Sequence, residues 1–118
     1  MRGAREFLKL PSRDFQAVYR SGRKSVGKEF IFFYSERKDT FHFAVVASRK
    51  TGNAVQRNRI KRLMREAFRA CAEQIHRPGA YVLVARARTG NRELSRMTGE
   101  LRELLTRMDL YQKEAGTA

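Results

Sequence analysis

The sequence is poor in the residues that form disulfides, metal clusters and rigid turns: its 118 residues include one cysteine, two prolines and no tryptophan. The lone Cys71 excludes an internal disulfide and a multi-cysteine zinc site, and a thiol in a helical stretch is more often a core residue than a nucleophile. No apolar run approaches the roughly 20 residues that a membrane-spanning helix needs. Residues 1–10 also lack the continuous apolar run of a secretory signal, so we expect a cytoplasmic protein.

Acidic residues are scarce as well, with 12 Asp and Glu against 26 Lys and Arg, and the formal net charge is +14. On so small a protein this charge produces a positive potential over much of the surface, so we expect a polyanionic partner, with nucleic acid favoured over membrane. No repeat, linker or shift in composition divides the chain. We therefore expect one domain over residues 1–118, in which residues 1–10 and 113–118 are flexible.

Hydrophobic periodicity predicts a small α+β protein. Helices are predicted at residues 12–21, 55–75 and 91–111, and strands within residues 24–37, 41–48 and 81–85. Gly27 is expected to form a bulge or bend inside the first β-rich stretch. The resulting order is α-β-β-β-α-β-α, a single small sheet with helices packed on it, and the strand after the long helix is a candidate for parallel pairing with an earlier one.

The strongest helical signal, at residues 55–75, is amphipathic. At about 100° per residue, one face is apolar and comprises Ile60, Leu63, Met64, Ala67, Phe68, Cys71 and Ile75. The polar side is almost purely basic. Six cations lie between residues 57 and 69: Arg57, Arg59, Lys61, Arg62, Arg65 and Arg69.

These cations include a row of like charges spaced four residues apart: Arg57, Lys61, Arg65 and Arg69. Exposed helices ordinarily alternate opposite charges at this spacing, and each like-charge pair costs about a few tenths of a kcal/mol. A solvated helix surface is the simpler interpretation, but an external anion explains the row better. Arginine suits phosphate because its planar fork binds oxygen atoms in pairs and its face stacks on bases.

Aromatic residues favour a partner with unpaired bases. Phe15 and Tyr19 on the first helix and Phe33 on a strand are candidates for a platform on which single-stranded bases stack. The alternative for each residue is an ordinary place in the hydrophobic core. DNA binding through the long helix is disfavoured, because a helix-turn-helix arrangement does not suit the β-rich centre of the chain.

The segment SRKTGNAVQRNRIKRLMREAFR, residues 48–69, resembles the signature of the bacterial ribonuclease P protein family, with the RNR motif intact as Arg57, Asn58 and Arg59. The similarity extends over nearly the whole chain and includes the strand YVLVAR at residues 81–86. Tyr19 departs from the family, in which this position is associated with Phe, and the loop at residues 36–40 is short. The resemblance implies a left-handed β-α-β crossover around the long helix, against the usual right-handed rule.

The resemblance also implies a ribonucleoprotein in which a large catalytic RNA, with magnesium ions held mainly by that RNA, removes the 5′ leader of precursor transfer RNA. Facing the catalytic RNA or the nearby leader would be Arg57, Asn58, Arg59, Lys61, Arg62, Arg65 and Arg69. A cleft between the first helix and the sheet would receive the single-stranded leader; its residues would be Phe15, Tyr19 and Phe33, with Arg49 and Lys50 at its edge. The protein would then assist an endoribonuclease without supplying its chemistry.

Two further alternatives remain open. A general RNA-binding or ribosomal-type protein explains the charge equally well, although it does not need an aromatic cleft. An independent nuclease would need clustered carboxylates or a positioned histidine, but Asp14, Asp39 and Asp109 lie on three different predicted elements. His42 is explained as a surface strand residue and His76 as a favourable charge at a helix C-terminus. We therefore expect no catalytic residue and no metal site on the protein itself.

Overall fold

The structure, a computed structural model, describes residues 7–87 and 92–111. In chain order its helices and strands are β1 (Leu8–Lys9), α1 (Phe15–Ser21), β2 (Arg23–Val26), β3 (Phe30–Glu36), β4 (Phe41–Val46), α2 (Ala54–Cys71), β5 (Gly79–Ala85) and α3 (Leu94–Arg107). Short 3₁₀ turns at Ser12–Asp14, Arg49–Thr51 and Ala72–Gln74 adjoin the helices or β4. The predicted order α-β-β-β-α-β-α is confirmed, with one short strand added at its beginning.

The strands form one mixed sheet of five strands in the order β1-β4-β5-β3-β2. The pairs β2–β3 and β3–β5 are antiparallel, whereas β4–β5 and β1–β4 are parallel. The long helix α2 therefore connects two neighbouring parallel strands, as the resemblance implies. The left-handedness of this crossover stays an expectation from the family.

Alternation along the strands divides the side chains between two faces of the sheet. On β3, Phe30, Phe32 and Tyr34 are buried in the main core, which α2 and α3 complete. Ile31 and Phe33 lie on the opposite face, where α1 packs over a smaller cluster around Leu10, Val18, Ala80 and Val82. The two faces are therefore unequal: two helices cover one, and the single short helix α1 covers part of the other.

The helix α2 begins at a capping box that the sequence analysis did not identify. The Asn53 side chain accepts a hydrogen bond from the backbone N–H of Gln56, and the Gln56 side chain accepts one from the N–H of Asn53. On the apolar face, Phe68 stacks on Phe43 of β4 with ring centroids 3.7 Å apart. The predicted apolar face is confirmed, with Leu63 at its half-buried margin.

The stretch at residues 24–37 forms two strands, as the predicted order requires, and Gly27, expected at a bulge or bend, lies in the turn between them, where an added Cβ would collide with the Glu100 carboxylate. The ends of two helices differ from the predicted ones. The helix predicted at residues 55–75 ends at Cys71, because the chain tightens into a 3₁₀ turn that delivers Ile75 into the core. The last helix spans Leu94–Arg107 and is shorter than predicted, since residue 109 takes a positive φ that ends it.

The expectation of a flexible N-terminal segment is wrong for residues 8–10. Leu8 and Lys9 pair with β4, and Leu10 is only 1% exposed in the smaller cluster. Residues 1–6 and 112–118 lie outside the described residues. This strand could not be predicted from the sequence, because two residues are too few to show an alternation of apolar and polar side chains.

The carboxylate of Glu100 on α3 holds the turn between β2 and β3. It accepts hydrogen bonds from the backbone N–H groups of Lys28, Glu29 and Phe30 at 3.0, 2.8 and 3.3 Å. Glu29 itself is buried and forms an ion pair with the buried Arg92 at 3.1 Å. These contacts fix α3 against the end of the sheet. They also give the backbone N–H groups of the turn an acceptor that they would otherwise lack.

Candidate nucleic-acid interface

The cations of α2 project from the helix side opposite the core. Arg59, Arg62, Arg65 and Arg69 are exposed and Lys61 is half-exposed; we call these five residues the basic face of α2. Within residues 7–87 and 92–111, none of the five side chains forms an ion pair or a hydrogen bond with another residue. The charge that the sequence concentrates here is therefore not neutralised by acids of the described chain, and it is available to an external anion.

Arg57 differs from the other arginines of the helix. Its side chain is half-buried, and Nη1 donates a hydrogen bond of 2.9 Å to the carbonyl oxygen of Gly52. Gly52 has a φ of 139°, a conformation that favours glycine. The first arginine of the RNR motif therefore closes the turn before α2, while Asn58 beside it is exposed.

The turn that Arg57 closes presents two more cations. The Ser48 carbonyl oxygen accepts from the Thr51 hydroxyl at 2.6 Å, and the Ser48 hydroxyl accepts from the Lys50 N–H at 3.3 Å. These bonds hold the backbone, whereas the side chains of Arg49 and Lys50 are exposed. In the described part of the chain, neither cation contacts Phe15, Tyr19 or Phe33 through a hydrogen bond or a cation–π interaction.

The three aromatic residues singled out from the sequence come together on the α1 side of the sheet. The ring centroids of Phe15 and Tyr19 are 6.3 Å apart, and those of Tyr19 and Phe33 are 4.7 Å apart. All three residues are half-buried, so each ring keeps accessible surface; we call Phe15, Tyr19 and Phe33 the aromatic row. Burial raises the pKa of the Tyr19 phenol, and the phenol makes no hydrogen bond with the described residues.

Two lysines near the aromatic row were not predicted from the sequence as site residues. Lys24 lies directly opposite Phe33 in the pairing of β2 with β3, so both side chains point to the α1 side of the sheet. Lys9 on β1 lines a groove that also contains Phe15. Strand alternation would have indicated Lys24 only if the hairpin register had been known.

The candidate catalytic residues remain apart. Asp14 lies before α1 and Asp39 in the turn before β4, while Asp109 follows α3, where it pairs with Arg77 at 3.5 Å. Among the described residues, no three His, Cys, Asp or Glu side chains meet at a possible metal site. The expectation that His76 ends the basic helix is wrong, because α2 ends five residues earlier, at Cys71.

His42 is the second residue of β4 and is half-buried, and its Nδ1 is buried without a hydrogen-bond partner among the described residues. Cys71 is fully buried, and burial raises the pKa of its thiol. This position suits a core residue better than a nucleophile. No described helix combines the length and the apolarity that crossing a membrane requires.

Comparisons with known proteins agree with the fold and with the motif. The family model described as Ribonuclease P matches residues 5–109. The ribonuclease P protein component of Exiguobacterium sp. is 37% identical over 112 residues, which cover 93% of this chain and 96% of that protein. Among solved structures, the RNase P protein from Thermotoga maritima superposes with a TM-score of 0.72 at 28% identity and covers 87% of this chain and 97% of its own. A mutant of the Staphylococcus aureus RNase P protein gives a TM-score of 0.77 at 26% identity, with coverages of 87% and 89%.

Proposed function

The chain belongs to the bacterial ribonuclease P protein family, and we propose that it binds both the catalytic RNA of that ribonucleoprotein and the single-stranded 5′ leader of precursor transfer RNA. Its part in this endoribonuclease is to hold the two RNAs, and the RNA carries the chemistry. The observation that supports this proposal most is the basic face of α2, which is exposed and has no acidic partner among the described residues.

The basic face of α2 is assigned to the catalytic RNA. A folded RNA presents closely spaced phosphates, and a rigid helix with arginines on successive turns can contact several of them together. The like-charge repulsion within the row then becomes favourable attraction to the RNA. Arg57 contributes here by holding the turn that carries Arg49 and Lys50, and Asn58 adds an exposed amide that donates and accepts hydrogen bonds.

The aromatic row is assigned to the leader. Half-buried rings provide faces for stacking, and stacking requires bases that are not paired, as in a single-stranded leader. Each stacked base contributes about 1–3 kcal/mol. This row also distinguishes the proposed function from that of a general RNA-binding protein. Such a protein needs the basic helix but not a stacking surface on the other side of the sheet.

We propose that the magnesium ions of the ribonucleoprotein are held mainly by the catalytic RNA. The carboxylates and imidazoles of the described residues do not fit a metal site of their own, since no three of them converge. We assign the chemistry to the RNA and no step of the reaction to a protein side chain. We also propose that the protein is cytoplasmic, because it assembles with such an RNA.

The experiment that tests the proposal is reconstitution with a bacterial ribonuclease P RNA at low magnesium concentration. We expect the protein to increase the cleavage of precursor transfer RNA, because its cations reduce the repulsion between the two RNAs. Cleavage should be measured with and without the protein over a magnesium series. Identical rates over the whole series would contradict the assignment.

A Phe15→Ala variant tests the leader site separately. We expect it to weaken the binding of precursors that carry a leader by about 1–3 kcal/mol and to leave the binding of mature transfer RNA unchanged, because only the leader supplies a base to stack. Tyr111→Ala is the matched control, since Tyr111 is a half-exposed ring that contacts Arg102 of α3 instead. An equal loss for mature transfer RNA would refute the assignment of Phe15.

A further inference from the structure

The strand β2 forms one edge of the sheet, and its outward backbone groups are not paired. Gly27 donates a hydrogen bond of 3.0 Å to the Phe30 carbonyl oxygen across the β2–β3 turn, so the Gly27 N–H points to β3. Because backbone groups alternate in direction along a strand, the N–H and C=O groups of Lys24 and Val26 point away from β3. Among residues 7–87 and 92–111 these groups have no hydrogen-bond partner. They are therefore open to pairing with a further strand.

A groove of about 860 Å³ lies between this edge and α3. Val26 and the β2–β3 turn line one side of the groove, and Leu104 and Arg107 of α3 line the other. Arg107 Nη1 donates a hydrogen bond of 3.2 Å to the Ser25 hydroxyl, which holds the end of α3 against β2. A strand added beside β2 would direct alternate side chains to the α3 side of the sheet, where this groove lies. The edge thus combines backbone groups for pairing with a groove for side chains, as in proteins that bind extended peptides.

The charge around the edge is mainly positive. Four exposed cations form no ion pair with a described residue: Arg23, Lys24, Lys28 and Arg107. Two of the acids that line the groove are already engaged, since Glu29 is paired with a buried arginine and Glu100 accepts three backbone N–H groups. Glu103 is the acid that remains. The edge therefore favours a partner with acidic side chains.

Two other occupants fit this edge less well. A second copy of β2 would bring Arg23 and Lys24 next to the same cations of its partner, and like charges on neighbouring strands destabilise the pairing. RNA phosphates accept hydrogen bonds from N–H groups but do not donate to the carbonyl oxygens of Lys24 and Val26. An extended polypeptide donates and accepts at each of these positions.

We propose that β2 and the adjoining groove form a docking site for an extended acidic segment of another protein, which pairs with β2 as a sixth strand of the sheet. Its backbone pairs with Lys24 and Val26, and its acidic side chains meet Lys24, Lys28 and Arg107. The sheet order places β2 at the edge opposite β1, whereas α2 packs on β4 and β5. A segment bound at β2 therefore leaves the basic face of α2 free for RNA, and the inference adds a protein partner to the proposed function.

The test uses the full chain labelled with ¹⁵N and a short capped peptide in which glutamate and valine alternate. At a peptide concentration about ten times its Kd, hydrogen exchange at the amides of Lys24 and Val26 should slow about tenfold, because each outward N–H gains an acceptor. The Ser25 amide is the internal control, since it points to Phe32 of β3 and should slow less. The same peptide with lysine in place of glutamate should bind at least about tenfold more weakly.

Val26→Pro tests the backbone pairing without a change in charge. It removes the outward N–H and spares the hydrogen bonds to β3, so the Kd for the peptide should rise about tenfold. Ala54→Pro is the matched control, because proline suits the first position of α2 and the preceding Asn53 is extended, with a ψ of -179°. This control should bind the peptide as tightly as the unchanged protein does.

Four results would overturn the inference. They are unchanged exchange at Lys24 and Val26, equal affinity for the lysine peptide, equal Kd values for Val26→Pro and Ala54→Pro, and the same protection of both amides by oligouridylate, which would make the edge an RNA surface. Protection that rises with protein concentration alone would make a second copy the occupant and would overturn it as well. The reconstitution with ribonuclease P RNA tests the proposed function separately, so the failure of one leaves the other standing.

Discussion

Replacing Arg62 and Arg65 together with Gln should remove two phosphate contacts from the basic face of α2. Both side chains are exposed and unpaired among the described residues, so their loss costs the folded protein little. The free energy of unfolding should change by less than about 0.5 kcal/mol, as for other surface substitutions. Glutamine keeps most of the side-chain length and the helix propensity, and therefore isolates the effect of charge.

The magnitude follows from counterion release. Each lost phosphate contact lowers the slope of log K against log salt by about 0.7 to 0.9, so the double variant should lose about 1.6 units of slope. Over the decade from about 0.1 to 1 M salt, this corresponds to about 40-fold weaker binding at the low-salt end, a difference that disappears near 1 M.

The assay is the binding of fluorescently labelled ribonuclease P RNA at five or more salt concentrations. The matched control is Lys38→Gln combined with Arg77→Gln, which removes the same net charge from residues outside α2; Arg77 is 53% exposed and pairs with Asp109. If the control lowers the slope as much as the α2 variant does, the effect comes from net charge and not from the helix face. An unchanged slope in the α2 variant refutes the proposed RNA contact.

Three further predictions concern the framework of the sites. Glu100→Gln should lower the free energy of unfolding by about 1–3 kcal/mol in urea denaturation, because a charged acceptor of three N–H groups is lost; a loss no greater than that of Glu103→Gln would contradict this. Burial raises the pKa of the Tyr19 phenol above 10.0, so its contribution to stability is present below pH 10.0 and is lost as the pH rises through the folded-state pKa. Tyr19→Phe should therefore lose less thermal stability than the unchanged protein as the pH is raised above 10.0, and parallel losses in the two proteins would disprove this. Gly22→Ala should cost about 1–3 kcal/mol, since its Cβ would lie 2.7 Å from a carbonyl oxygen of β3, whereas Gly99→Ala meets no atom within 4 Å and should not destabilise; similar unfolding midpoints would count against this.

The sequence by itself determined the helix α2 and its two faces. The residues that decide this, such as Ile60 and Met64 on one side and Arg62 and Arg65 on the other, are neighbours within two turns of one helix. Periodicity is a local property, so a single sequence contains all the information that it needs. The RNR motif likewise lies within a continuous segment, and the family could be identified from it.

Only the tertiary structure decided how the separate segments meet. The contact of Tyr19 with Phe33 depends on where α1 packs on the sheet, and the place of Lys24 beside Phe33 depends on the register of β2 and β3. A shift of one residue in that register would move Lys24 to the opposite face, and no local pattern around Lys24 distinguishes the two. Lys9 of β1 and Arg65 of α2 line the same groove although they are distant in the sequence, and only the packing of those elements on β4 brings them to it.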